Sequence, residues 1–345
     1  MRKILVFILI AMLVAVTITA CDQKEKQVQK QYDIISEDII VGEGTEWALP
    51  GMLTLPKDAK GKIPAVVLVH GSGPSNMDGT SSVHAYAPYK DIAEYLASQG
   101  IAVLRHDKST FTHNSKFVDD FTDITARNFT IKEESVDSAI LAGNILKNDE
   151  RIDSEKVYVL GLSLGGMIAP RIDKEGGNFA GLIIMAGSPR KFSEIWYDQN
   201  KIAIKESNLT DDAKEAQRKQ LEEYMGYFRS FKDMTDDEAK QYVLVGCTGY
   251  YFKDLDAYPS NEYLKNTEKP VLIMQGGKDF QVFADIDYEQ YQNLLQGKDN
   301  VTFKLYPELN HFFITSRTGT IDEYKVRDKV NSEPLQDIVE WINAN

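Results

Sequence analysis

Cysteine is nearly absent. Cys21 and Cys247 are the only two in 345 residues, too few for a disulfide framework. Histidine is scarce as well, with His70, His84, His106, His113 and His311 making up the set. No H-E-x-x-H pattern and no Cys/His cluster occurs, so no metal is expected. No G-x-x-x-x-G-K-[ST] or G-x-G-x-x-G pattern occurs, which sets aside a phosphate-binding loop, and no cofactor is implied. Basic charge is short: 39 Lys and Arg face 52 Asp and Glu, for a net charge of −13. Such a surface argues against nucleic acid and against electrostatic docking on anionic lipid. Neither internal repeats nor low-complexity blocks stand out. The opening apolar run, Ile4 to Val16, is shorter than the roughly 18 residues a spanning helix wants.

That run sits behind Arg2 and Lys3 and ahead of small residues ending at Cys21. The order is that of a bacterial secretory signal, here residues 1–20. Ile18-Thr19-Ala20-Cys21 resembles a lipobox, the cleavage motif of bacterial lipoproteins. The resemblance implies that Cys21 becomes the mature N-terminus and carries the lipid; an uncleaved membrane anchor is the alternative. Either way the rest of the chain is expected outside the cytoplasmic membrane. One acyl chain anchors weakly, and the resemblance implies at least two. The membrane link is then the lipid, not a protein face. Residues 21–35 read as a flexible tether. With Cys21 lipidated, Cys247 has no partner and reads as buried and inert.

From Ile63 onward, apolar runs alternate with helical patterns. Strands are expected at 63–71, 101–107, 156–163, 181–187, 270–277 and 301–306. Helices are expected at 91–100, 131–148, 164–172, 287–297 and 332–344. Alternation of this kind means right-handed crossovers and a mostly parallel sheet covered on both faces, an α/β fold. Ahead of it, EDIIVG and WALPGMLTLP read as an antiparallel hairpin on the sheet edge. Residues 36–345 then form one domain, with a helical insertion at about 190–268.

Ser163 ends a strand and precedes a helix within Gly161-Leu162-Ser163-Leu164-Gly165. This is the G-x-S-x-G pattern in its strand–turn–helix setting. A plain strand–helix turn that contains serine is the alternative. As a nucleophile, the hydroxyl would need a base, and the base an orienting acid. His311, in PELNHFF after the 301–306 strand, suits the base. Asp279, in QGGKDF at the end of the 270–277 strand, suits the acid better than Asp285. The order Ser163, Asp279, His311 resembles that of the α/β-hydrolase family, and the likeness covers nearly the whole chain from about residue 36. It is nearest the dienelactone hydrolase and serine aminopeptidase-like group. The resemblance implies a serine hydrolase of carboxylic esters that works through an acyl-enzyme. It also implies that the HGSGP segment supplies an oxyanion-hole amide, at Ser72, beside that of Leu164.

HGSGPSNMDGT together with KDIAEYLASQGIAVLRHDKST resembles a subgroup of secreted and lipid-anchored bacterial esterases whose strand-end motif reads RYDKR. His106 and Ser109 depart from that motif, which leaves substrate contacts by this loop open. His70 reads as structural. In the insertion, Thr210 is expected to cap a helix from about Asp211, and Thr235 with Glu238 fits a capping box. Aromatics are dense from Tyr224 to Tyr258. Most are expected to form the insertion's own core, and a minority to line an acyl or aryl pocket. The expected partner is a small ester. The competing readings are a serine peptidase of the aminopeptidase or prolyl-oligopeptidase kind, and a non-catalytic binding protein on the same fold.

Overall fold

β3, Ile63–Val69, is the strand around which the chain turns. Its run IPAVVLV is buried almost throughout, as a strand covered on both faces must be. In the computed structural model, which describes residues 31–81, 84–114 and 124–345, β3 lies inside an eight-stranded sheet. The other strands are β1 Ile34–Val41, β2 Leu49–Pro56, β4 Ala102–His106, β5 Ile152–Leu162, β6 Leu182–Met185, β7 Val271–Gly276 and β8 Val301–Tyr306. Their order is β1-β2-β4-β3-β5-β6-β7-β8. β2 is antiparallel to both β1 and β4, and the remaining pairs are parallel. The chain thus runs from β3 to β4 on one side and then to β5 on the other. Such a reversal opens a crevice beyond the carboxyl ends of the strands.

Two sets of side chains cover the sheet. Ala65, Val67 and Val69 face α2, Asp137–Asn148, and α3, Leu164–Ile172. Val66 and Leu68 face α1, Pro88–Ser98, and α8, Ser332–Ala344. Between β6 and β7 the insertion forms α4, Phe192–Glu206, α5, Asp211–Ser230, α6, Gly249–Ala257, and α7, Ser260–Asn266. Thr210 caps α5, its hydroxyl accepting from the Ala213 amide. The Thr235–Glu238 capping box also forms, although it starts a helix of only four residues.

The folded part begins earlier than the sequence indicated. Ile34 and Ile35 belong to β1, and the Tyr32 amide donates to the Ser98 carbonyl, so the end of the expected tether is structured. The expected hairpin is correct, but its first strand extends back into that segment. The expected signal, residues 1–20, and the expected lipid site, Cys21, lie outside the described residues. Among the described residues, no helix is long and apolar enough to cross a membrane.

Candidate active site

Ser163 stands at the β5–α3 corner with φ 58° and ψ −121°, a conformation unfavourable for any residue with a Cβ. Glycine makes the corner sterically feasible. A Cβ on Gly161 would lie 2.2 Å from the Gly165 backbone, and one on Gly165 would lie 2.3 Å from the Val69 carbonyl oxygen. The strained serine is fixed by its amide donating to the Met185 carbonyl and its carbonyl accepting from the Met167 amide. Parallel register brings the neighbouring strand ends level with it: Val69 pairs with Gly161, and Leu162 with Met185.

β7 and β8 deliver the next two residues. Asp279 follows β7 in a tight turn and is buried. Its Oδ1 accepts from the amides of Gln281 and Val282, at 2.8 and 3.0 Å. Its Oδ2 accepts from Gln275 Nε2 at 2.9 Å and from His311 Nδ1 at 2.8 Å. Because a carboxylate only accepts, His311 carries its proton on Nδ1 and leaves Nε2 basic. Asp285, the competing acid, is exposed in the next turn. The loop bearing His311 is pinned by Asn310, whose side chain accepts from the Phe312 and Ile314 amides and donates to Glu323. Phe313, just beyond, takes φ 57°.

Ser163 and His311 line one cavity of about 400 Å³. Ser72 and Leu164 line it too. The Leu164 amide is the first of α3 and has no acceptor within the helix. The Gly71 amide is engaged, donating to the Tyr89 hydroxyl at 3.0 Å. Opposite stand Phe192, Ile195, Trp196 and Gln199 from α4, with Val245 from a short hairpin. None of the aromatics between Tyr224 and Tyr258 reaches this cavity, a correction to the expected pocket-lining minority. Phe228 and Phe231 pack around Phe252 at centroid distances of 4.8 and 6.5 Å, so the aromatic run builds the insertion's core.

The loop after β3 is clamped by the end of β4. His70 Nε2 donates to the His106 carbonyl, and its Nδ1 accepts from the Ser75 hydroxyl. Burial, with help from neighbouring His106, drives the His70 pKa down to about 3, so the ring is neutral. Asp107 Oδ1 accepts from the Met77 amide, and Arg105 bonds Asp78 and Thr54. The motif that departs from RYDKR is therefore buried scaffold. His84 lines the cavity against Phe312 at 4.6 Å. Cys247 is half-buried rather than fully so; burial, aided by Glu134, pushes its thiol up to about 12. Among the described residues, no group of His, Cys, Asp and Glu is placed to hold a metal ion.

With this geometry in view, the pattern of the alpha/beta hydrolase family matches residues 66–322. The chain belongs to the α/β-hydrolase family. Esterase EstD of Thermotoga maritima is 35% identical to this chain over 297 residues, 85% of this chain and 65% of that protein. The chain thus spans just under two-thirds of the relative's length. Est1E from Butyrivibrio proteoclasticus superposes with a TM-score of 0.51 at 16% identity, covering 89% of this chain and 96% of Est1E. Dipeptidyl peptidase 4 of Porphyromonas gingivalis does so with a TM-score of 0.51 at 14% identity, covering 90% of this chain and 35% of the peptidase. At such identities the likeness concerns the fold alone, a frame shared by an esterase and a peptidase.

Proposed function

We propose that this hydrolase cleaves carboxylic esters through Ser163, His311 and Asp279. The observation that carries the reading is the Asp279–His311 hydrogen bond, 2.8 Å long, whose imidazole shares a cavity with the serine of a strained glycine elbow. The likeness to Esterase EstD supports the choice of ester over amide. Ser163 Oγ adds to the ester carbonyl while His311 Nε2 takes its proton. The carbonyl oxygen becomes an oxyanion that accepts from the amides of Ser72 and Leu164. Collapse expels the alcohol, which receives the proton from His311. Water, deprotonated by the same nitrogen, then releases the acid and restores the serine. The Asp279 carboxylate holds the ring in its Nδ1–H tautomer and offsets the imidazolium charge. Removing one oxyanion donor of this type typically costs about 3–4 kcal/mol in the transition state.

Ser163→Ala should lower ester turnover about 10⁶-fold and abolish covalent labelling by a fluorophosphonate. Persistent labelling overturns the assignment, and faster turnover of peptidyl amides than of esters replaces the substrate class. Export with lipid on Cys21 is proposed on the lipobox-like Ile18–Cys21. In a bacterial host, Cys21→Ser should end incorporation of a labelled fatty acid; incorporation that continues places the lipid on another residue and overturns the assignment to Cys21.

A further inference from the structure

The carbonyl of Gly71 and the amide of Ser72 belong to one peptide unit. That unit is planar and trans, so its C=O and N–H point in opposite directions. Whatever holds the oxygen therefore aims the hydrogen. Here the holder is Lys108, whose Nζ donates to the Gly71 carbonyl at 2.7 Å. The main chain of Lys108 grips the same loop, its amide donating to the Ser75 carbonyl at 3.1 Å. Lys108 is only 1% exposed. An ammonium so deep requires a partner, and Glu134 Oε1 stands 3.1 Å away. Glu134 lies in the wide turn Lys132–Val136, a one-turn π-helix of the kind frequent at functional sites. Its other oxygen accepts from the Tyr251 hydroxyl at 2.5 Å. Tyr251 belongs to α6 of the insertion. One buried polar chain thus runs from the insertion through Glu134 and Lys108 to the peptide beside Ser163.

A buried ion pair is weak support for stability, since well-packed apolar residues often do as well. This pair does something they could not, because it ends on the Gly71–Ser72 peptide, whose N–H the proposed reading uses as an oxyanion donor. We infer that Lys108 is a positioning residue of the oxyanion hole, and that Glu134 and Tyr251 couple its placement to the insertion. The inference rests on the proposed reading of Ser163 and Ser72. The ammonium fixes the peptide plane, so the N–H needs no reorientation when charge develops on the substrate oxygen. It also draws electron density from the Gly71 carbonyl. Through amide resonance this strengthens the Ser72 N–H as a donor, a polarisation passed along linked hydrogen bonds.

The test compares Lys108→Met, Lys108→Met/Glu134→Gln and Tyr251→Phe in the full chain. The double variant removes the lysine without leaving a charge buried alone. Turnover of a p-nitrophenyl ester is measured together with inhibition by a trifluoromethyl ketone, whose serine adduct places an oxyanion in the hole. The lysine variants should lose about 10- to 100-fold in kcat with KM within about threefold, and inhibitor affinity should fall by a similar factor. Tyr251→Phe should show the same pair of changes at about two- to fivefold. A purely structural role would lower Tm and leave kcat and inhibitor affinity of the folded fraction intact, which overturns the inference. So does a rise in KM with unchanged inhibitor affinity. If neither lysine variant folds, Tyr251→Phe decides, because it removes one hydroxyl and no charge; parental kcat and inhibitor affinity then overturn the coupling and its purpose. Fluorophosphonate labelling that survives in Ser163→Ala breaks the underlying reading instead, and loss of that label with unaffected Lys108 variants breaks this inference alone.

Discussion

The two walls of the cleft are built by different rules. On one side, Ser163, Asp279 and His311 follow the carboxyl ends of the parallel strands β5, β7 and β8, and Asp279 and His311 are buried and hydrogen-bonded to each other. On the other, Phe192, Ile195, Trp196, Gln199 and Val245 come from the first turns of α4 and from a hairpin tip. The sheet register fixes the first wall, whereas side-chain packing within the insertion fixes the second. Chemistry and choice of substrate are therefore expected to respond to different substitutions.

The sharpest way to break that contrast is at the acid. Asp279→Asn keeps the amide bonds that hold the turn but favours the wrong imidazole tautomer. It should cost about 10⁴-fold in kcat with little change in the ranking of esters, measured by steady-state kinetics on a chain-length series. The same variant at exposed Asp285 should stay near parental turnover, and a reversal would move the acid.

On the facing wall, Val245 takes φ 53° while 46% exposed, an unfavourable setting for a β-branched residue. Val245→Gly should relieve that strain and raise Tm slightly. It should also open the cavity, changing the relative kcat/KM of bulky and small esters by about 10-fold while labelling at Ser163 by a compact fluorophosphonate keeps its rate. A slowed label would mean that the two walls are not separable.

A third test concerns the support behind His311. Burial raises the pKa of Glu323, but the Thr318 and Gly319 amides, the Asn310 side chain and the Ser316 hydroxyl outweigh it and pull the carboxyl down to about 2. The depressed carboxylate stabilises the fold above its ordinary range near 4.5, and that contribution is lost as pH falls toward about 2. Glu323→Gln turns one acceptor into a donor that faces donors, at a cost of about 1–3 kcal/mol. The gap in Tm between parent and variant should be widest above pH 4.5 and narrow below it in a calorimetric series; a gap constant with pH would refute the assignment.

Local pattern showed the first wall in the sequence and hid most of the second. The G-x-S-x-G corner, the strand ends at Asp279 and His311 and the caps at Thr210 and Thr235 each need only a few consecutive residues to be recognised. Packing partners distant in sequence carry no such signal. The aromatic run from Tyr224 to Tyr258 was visible, but not that Phe228 and Phe231 would close on Phe252 while Phe192 and Trp196, ahead of the run, would face the cavity. Asn310 and Glu323 escaped notice for the same reason: their partners are backbone amides of a loop without regular periodicity. Lys108 was noticed only within a motif, and its partners lie 26 residues on at Glu134 and 37 residues back at Gly71.

The glycine corner has a mechanical consequence. At Gly161, Gly165 and Val69, main chain rests against main chain with no side chain between. Side chains accommodate a load by changing rotamer, but touching backbones have no such slack. The joint therefore acts as a stiff bearing in a more compliant body. A methylene lost from the layers under α1 or α8 should be absorbed there as softness and a lower melting point, and the serine above the bearing should keep its aim.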